Sequence, residues 1–167
     1  MVVLCLPLFS VAQSQTKTRS VKPSQLLGVW YGKAGMKQAD LEMYLEGEKE
    51  FISPTKLQDR LTGSFVLKKI TSVPILVSIQ LKSNWYVRDG YLCERLKSFH
   101  VGIVSKPDGT VVPPLMVAEL VENLQGKFDE QAKSGRDVCN QLISVAPNTF
   151  TLRDGSSSMV TKFKRLK

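Results

Sequence analysis

The sequence predicts a mainly β chain, folded as an antiparallel up-and-down barrel or a strongly curved sheet with one amphipathic helix over about 115–133. Three observations carry this. Apolar and polar residues alternate over long stretches: Leu41, Met43 and Leu45 share a face against Glu42, Tyr44 and Glu46, and Ile75, Val77, Ile79 and Leu81 share one against Leu76, Ser78, Gln80 and Lys82. A side-chain period of two over such lengths belongs to half-buried strands. Turn dipeptides, Asp89-Gly90 above all, punctuate these stretches. One segment alone carries helical spacing, with Val117, Leu120, Val121, Leu124 and Phe128 on one face and Gly126 opposite.

Taken in chain order, the uncharged apolar run from Val2 to Ala12 has the length of a secretory signal. Ser10-Val11-Ala12 or Ala12-Gln13-Ser14 offers the small residues that cleavage needs, so residues 1–14 are expected to be removed and the mature chain to start near Gln13 or Gln15. The run is shorter than the ~20 residues of a membrane-spanning helix. Cys5 lacks the preceding small residues of a lipoprotein site. Residues 15–25 read as a polar, basic tail stiffened by Pro23, and one domain of 26–167 follows, large enough for a single core.

The stretch from Phe51 to Leu61 has no clear period and contains Pro54, and is expected as a loop or short helix. The segment Trp85 to Glu94 is a hairpin, because Asp89-Gly90 supplies the positive φ angles of a type I′ turn. That turn sets Arg88 opposite Tyr91, Val87 opposite Leu92, Tyr86 opposite Cys93 and Trp85 opposite Glu94, with Trp85, Val87 and Leu92 on one side. Phe99, Val101 and Ile103 continue a strand toward a turn at Lys106-Pro107-Asp108-Gly109, with Val111 and Val112 beyond it. The helix is expected to stop near Ser134-Gly135. Its polar face carries Glu119, Glu122, Asp129 and Glu130, the wrong sign for an anionic membrane surface. Strands resume at Leu142–Ala146 and Thr149–Arg153, then turn through Asp154-Gly155 into Met159–Leu166.

Composition bounds the function. With 43% hydrophobic residues the chain has the apolar content a folded core requires. The net charge of +8 favours anionic neighbours, which for an exported protein means an envelope component, a lipid head group or an acidic protein, not nucleic acid. The cations are dispersed: Lys17, Arg19 and Lys22 in the tail, Lys68 and Lys69 in a strand, Lys162, Lys164, Arg165 and Lys167 at the end. This distribution also fits a solubilising coat. Once Cys5 leaves with the signal, Cys93 and Cys139 form an even pair that could bond in an oxidising compartment or stay as two buried thiols.

Gly28-Val29-Trp30-Tyr31 on the first strand resembles the lipocalin signature, in which a Gly-x-Trp opens strand A of an eight-stranded barrel. The resemblance implies that Trp30 closes the barrel base and that an Arg from the end of the barrel packs over it. Arg165 fills that place, on one face of the last strand with Met159, Thr161 and Phe163. The stretch from Thr149 to Arg165 is similar to the closing hairpin of bacterial lipocalin-like proteins. No Thr-Asp-Tyr occurs in mid-chain, only Asp89-Gly90-Tyr91, and the helix precedes the last strands where the family has it after the eighth.

The residue inventory disfavours catalysis. His100 is the only imidazole and stands in a β segment without a nucleophile motif, a metal-binding His pair or a phosphate-binding glycine loop. Glu46, Glu48 and Glu50 fall on one side if the strand runs past Gly47, either as carboxylates for acid–base or metal chemistry or as a solvated edge. No cofactor or metal is implied. Trp85, Tyr86, Arg88 and Tyr91 combine rings with a cation as a recognition surface does, and Ile75 and Val77 are candidates for a cavity wall. The expectation is an extracytoplasmic, non-enzymatic binding protein for a small apolar or amphipathic ligand. The alternative is a periplasmic or secreted protein-interaction module, an inhibitor or immunity-type factor, with a filled barrel and a basic or loop surface.

Overall fold

A computed structural model describes residues 21–37, 41–68, 73–104, 113–155 and 159–166. After a single 3-10 turn at Pro23–Gln25, eight strands follow: β1 (Gly28–Lys37), β2 (Leu41–Ser53), β3 (Lys56–Leu67), β4 (Ile75–Arg88), β5 (Tyr91–Ile103), β6 (Val138–Ala146), β7 (Thr149–Arg153) and β8 (Val160–Arg165). The helix α1 (Pro114–Ser134) lies between β5 and β6. Every strand pairs antiparallel with its neighbour in sequence and β8 returns to β1, so the sheet is a closed up-and-down barrel. Of the expected segments, the signal run at 1–14, the tail up to residue 20 and the turn at 106–109 lie outside the described residues, as do Lys69 and Lys167.

The local signals act as their chemistry requires. Asp89 and Gly90 both have positive φ, and β4 and β5 pair in the register that turn dictates, Trp85 opposite Glu94 and Tyr86 opposite Cys93. The helix ends on Gly135 in the left-handed conformation, where a side chain would be strained. One expectation is corrected. Phe51 to Leu61 is neither loop nor helix but the end of β2, a two-residue turn at Pro54 and Thr55, and the start of β3. Its alternation was obscured because the inward row Leu57, Asp59, Leu61 carries a carboxylate in its centre.

Two apolar clusters form the core of the barrel. The larger, at the base, gathers Leu26, Trp30, Phe51, Leu57, Trp85, Leu92, Leu142, Phe150, Leu152 and Phe163. Its rings are interlocked: Trp30 and Phe51 each meet Phe150 edge-on, Phe51 meets Trp85, and Phe150 stacks flat on Phe163 at 4.5 Å. Both indole N–H groups donate to carbonyls, Trp30 Nε1 to Leu26 and Trp85 Nε1 to Ser53. Gly32 makes room for this packing, since a Cβ there would stand 2.6 Å from the Phe163 ring.

The second cluster lies at the other end, where the wall changes. β6 pairs with β5 over Tyr91–Glu94, and β8 pairs with β1 over Trp30–Gly32. Beyond those rungs α1 lies against β5. Its apolar row of Val117, Leu120, Val121, Leu124 and Phe128 packs on Phe65, Ile75, Val77 and Ile79, the inward residues of β3 and β4. Helix and sheet thus complete the enclosure that short strands leave unfinished.

The first and last strands are joined by one side chain. Trp30 and Arg165 are register partners, and the guanidinium lies 4.0 Å from the centroid of the indole. Its donors reach three carbonyls: Nε to Pro147, Nη1 to Leu27 and Nη2 to Gln25. The entry turn, the β6–β7 connection and β8 are therefore tied to one planar cation. Trp30→Ala is expected to cost about 3–5 kcal/mol by urea unfolding, and a double-mutant cycle with Arg165→Ala to show about 1–2 kcal/mol of coupling. A coupling of zero would mean that the stacked geometry does no work in closure.

A Cys93–Cys139 disulfide fastens the short β5–β6 contact. It spans 46 residues and encloses the whole of α1. Restricting a loop of that length in the unfolded chain is worth roughly 4 kcal/mol in the chain-entropy account. Thiol titration of the denatured, unreduced chain carrying Cys5→Ser should find no free thiol, and two free thiols would contradict the pairing.

Candidate functional site

Between the two apolar clusters lies a cavity of about 340 Å³. Much of its wall is apolar: Ala34 of β1, Leu45 of β2, Leu61 of β3, Leu81 of β4, Leu152 of β7, Met159 and Phe163. The polar part of the lining is Lys49, Asp59, Glu94 and Asn140, together with Glu46, Asp154 and Thr161.

Lys49, Asp59 and Glu94 come from β2, β3 and β5, and each interrupts an inward apolar row: Leu45, Gly47, Lys49, Phe51; Leu57, Asp59, Leu61; Leu92, Glu94, Leu96. Register pairs Lys49 with Asp59 across β2–β3, and Glu94, opposite Trp85 on the neighbouring β4, is joined to them by hydrogen bonds from Lys49 between the non-adjacent strands β2 and β5. The Lys49 ammonium donates to both oxygens of Glu94, at 2.8 and 3.0 Å, and to Asp59 Oδ2 at 3.2 Å. Asp59 Oδ1 is ion-paired with the same nitrogen at 3.1 Å but accepts no hydrogen bond. Asn140 Oδ1 is likewise buried without a donor.

The electrostatics follow from this geometry. Burial alone would drive the Lys49 proton off, but the two carboxylates together outweigh it and hold the ammonium charged well above its ordinary range. Asp59 is shifted the other way: burial and the neighbouring Glu94 carboxylate raise it more than Lys49 lowers it, and its pKa is pushed up to about 6. With all three groups ionised, two anions face one cation.

Such a triad is a poor device for stability. Desolvating three charges costs several kcal/mol per ion before their attraction is counted, and apolar replacements of whole buried ion clusters are often neutral or stabilising. Removing only the cation is different. Lys49→Met is expected to destabilise by about 3–5 kcal/mol, whereas the combined Lys49→Met, Asp59→Leu, Glu94→Leu variant should unfold at a urea concentration equal to or above that of the natural chain.

The residues singled out from sequence fall in several places. Trp85 is buried in the base cluster, and Ile75 and Val77 lie under α1. Tyr86 faces outward and donates through its hydroxyl to Asp137 at 2.7 Å; Arg95 grips the same carboxylate with two donors, anchoring the chain as it leaves the helix. Arg88 and Tyr91 line a shallow outer cleft beside the disulfide. Gly28 has positive φ at the start of β1, and Trp30 and Arg165 meet at the base. Glu46, Glu48 and Glu50 share the outer face, where Lys33 pairs with the first and Arg60 with the other two. His100 is exposed on the outside of β5 opposite Gln80. Among the described residues no group of three or more His, Cys, Asp or Glu is placed to hold a metal ion, and no helix is long and apolar enough to cross a membrane.

The fold and cavity define a class, an eight-stranded antiparallel β-barrel with one helix and a polar cluster inside its cavity. Comparison with protein-family models and with curated proteins finds no match to this chain.

Proposed function

We propose that this protein is an exported, lipocalin-type carrier or receptor for a small apolar or amphipathic ligand. One observation carries the reading: the barrel is not packed solid but holds a cavity of about 340 Å³ whose apolar wall ends in a buried polar cluster. Ligand sites combine a mostly apolar enclosure with a few fixed polar groups that set orientation, and the mouth and interior of small barrels are where they occur. A filled barrel acting through its outer surface would have no use for a desolvated charge cluster at its centre. Closure by Trp30 and Arg165 at one end supports the lipocalin type. The Cys93–Cys139 bond supports an oxidising compartment, and the Val2 to Ala12 run supplies a route to it.

Native mass spectrometry of the protein purified from the extracytoplasmic fraction without denaturation tests both parts. The expected spectrum contains a small-molecule adduct on a chain beginning near Gln13 or Gln15. A chain that keeps Met1 would overturn export, and an adduct-free barrel that also takes up no apolar probe would overturn the binding reading.

A further inference from the structure

The polar wall of the cavity has a sign and a direction. Lys49 is fully engaged, with its donors directed at Glu94 and at Asp59 Oδ2. Among the described residues two buried side-chain atoms lack a hydrogen-bond donor, and both are acceptors: Asp59 Oδ1, on a residue only 3% exposed and ion-paired with Lys49 at 3.1 Å, and Asn140 Oδ1. Both residues line the same cavity. A buried acceptor without a donor costs about 1–3 kcal/mol, more when it is charged. The deficit at these two atoms is therefore a deficit of donors, and Lys49, Asp59 and Glu94 taken together carry one more anion than cation.

We infer that the cavity takes an apolar molecule ending in a primary ammonium group, with the ammonium on Asp59 Oδ1 and Asn140 Oδ1 and the tail along Leu45, Leu61 and Leu81. This deepens the binding reading above and rests on it. An ammonium supplies three donors and no acceptor. It offers donors to both oxygens and brings Lys49, Asp59 and Glu94 to two cations against two anions, so it relieves their charge imbalance as well. A hydroxyl head supplies one donor and no charge, and a carboxylate head would add a third anion with acceptors only. The strands hold the acceptors in place: Asp59 by its rung with Lys49 across β2–β3, Asn140 by its rung with Leu92 beside the disulfide.

Acid weakens this seat. The charged and polar groups that line the cavity with Asp59 are Glu46 and Lys49 from β2, Glu94 from β5, Asn140 from β6, Asp154 after β7 and Thr161 from β8. Because burial and Glu94 raise Asp59 to about 6, its carboxylate takes up a proton well above the usual range of an aspartate. The neutral acid no longer attracts an ammonium, while its attraction for an alcohol is little changed.

The test compares three probes with one tail, octylamine, octanol and octanoate, by isothermal titration calorimetry with the full chain. At pH 7.5 octylamine should bind at least about tenfold tighter than octanol, with octanoate weakest. Lowering the pH to 5 should remove most of the amine's advantage and leave octanol unchanged. Asn140→Leu should narrow the amine–alcohol gap while retaining octanol binding; if that variant does not fold, Asp59→Asn, which keeps the Lys49–Glu94 pair, serves the same comparison. Equal binding of amine and alcohol, or tightest binding of octanoate, would overturn the head-group assignment and leave the cavity reading standing. Binding of none of the three would overturn both.

Discussion

The contact between Trp30 and Arg165 is the constraint on which the rest of the barrel depends. Eight strands joined in sequence order make a sheet with two free edges, and an exposed edge of unpaired backbone groups is a liability that closure removes. Here the closing ladder is short, three rungs between β1 and β8. The arginine adds what the ladder lacks: a planar cation lying on the first strand's indole, with hydrogen bonds to carbonyls of the entry turn and of the β6–β7 connection. An inward guanidinium is tolerable because each of its nitrogens has an acceptor and its flat face has a ring. From this floor upward the aromatic cluster can assemble, with Phe150 meeting Trp30, Phe51 and Phe163 in turn.

Above the floor, packing and charge divide the interior. The base is dense and aromatic; the other end is finished by α1, whose apolar row replaces the missing rungs between short β6–β8 and the long strands. Between them Lys49, Asp59 and Glu94 interrupt three apolar rows at one level. Charges placed there prevent the two clusters from merging into one continuous core. The cavity is the physical result, apolar on most sides and short of donors on one. The disulfide and the Tyr86–Asp137–Arg95 contacts hold the weakest seam of this arrangement, where the chain passes from α1 into β6.

Much of the fold was legible in local pattern. Alternation gave β2 and β4 their inward faces, Asp89-Gly90 set the β4–β5 register, and helical spacing ending at Gly135 bounded α1 within a residue or so. The hairpin between β2 and β3 was not legible, because Asp59 breaks its apolar row and Pro54 suggested a longer irregular stretch. The same feature hid the cavity wall. Lys49 sits in a run of alternating Glu and Lys where charges ordinarily face water, and Glu94 follows a cysteine in a strand otherwise read for its rings. A usable signal was present: one charged residue at the centre of an apolar row, repeated on three strands.

By itself the sequence determined the β class, the single helix, the Asp89-Gly90 turn and the β4–β5 register that turn sets, because these depend on periods, φ preferences and contacts a few residues apart. It could also name Trp30 and Arg165 as partners through a resemblance at the chain ends. Which charges face inward at the same height was decided only by the tertiary structure. That placement depends on the registers of β2 with β3, of β3 with β4 and of β4 with β5 taken together, including the irregularities between Phe51 and Ser53 and between Lys82 and Ser83. A one-residue slip in any of them would turn a whole row over. The meeting of Lys49, Asp59 and Glu94 is therefore a property of the closed barrel, not of any segment of the chain.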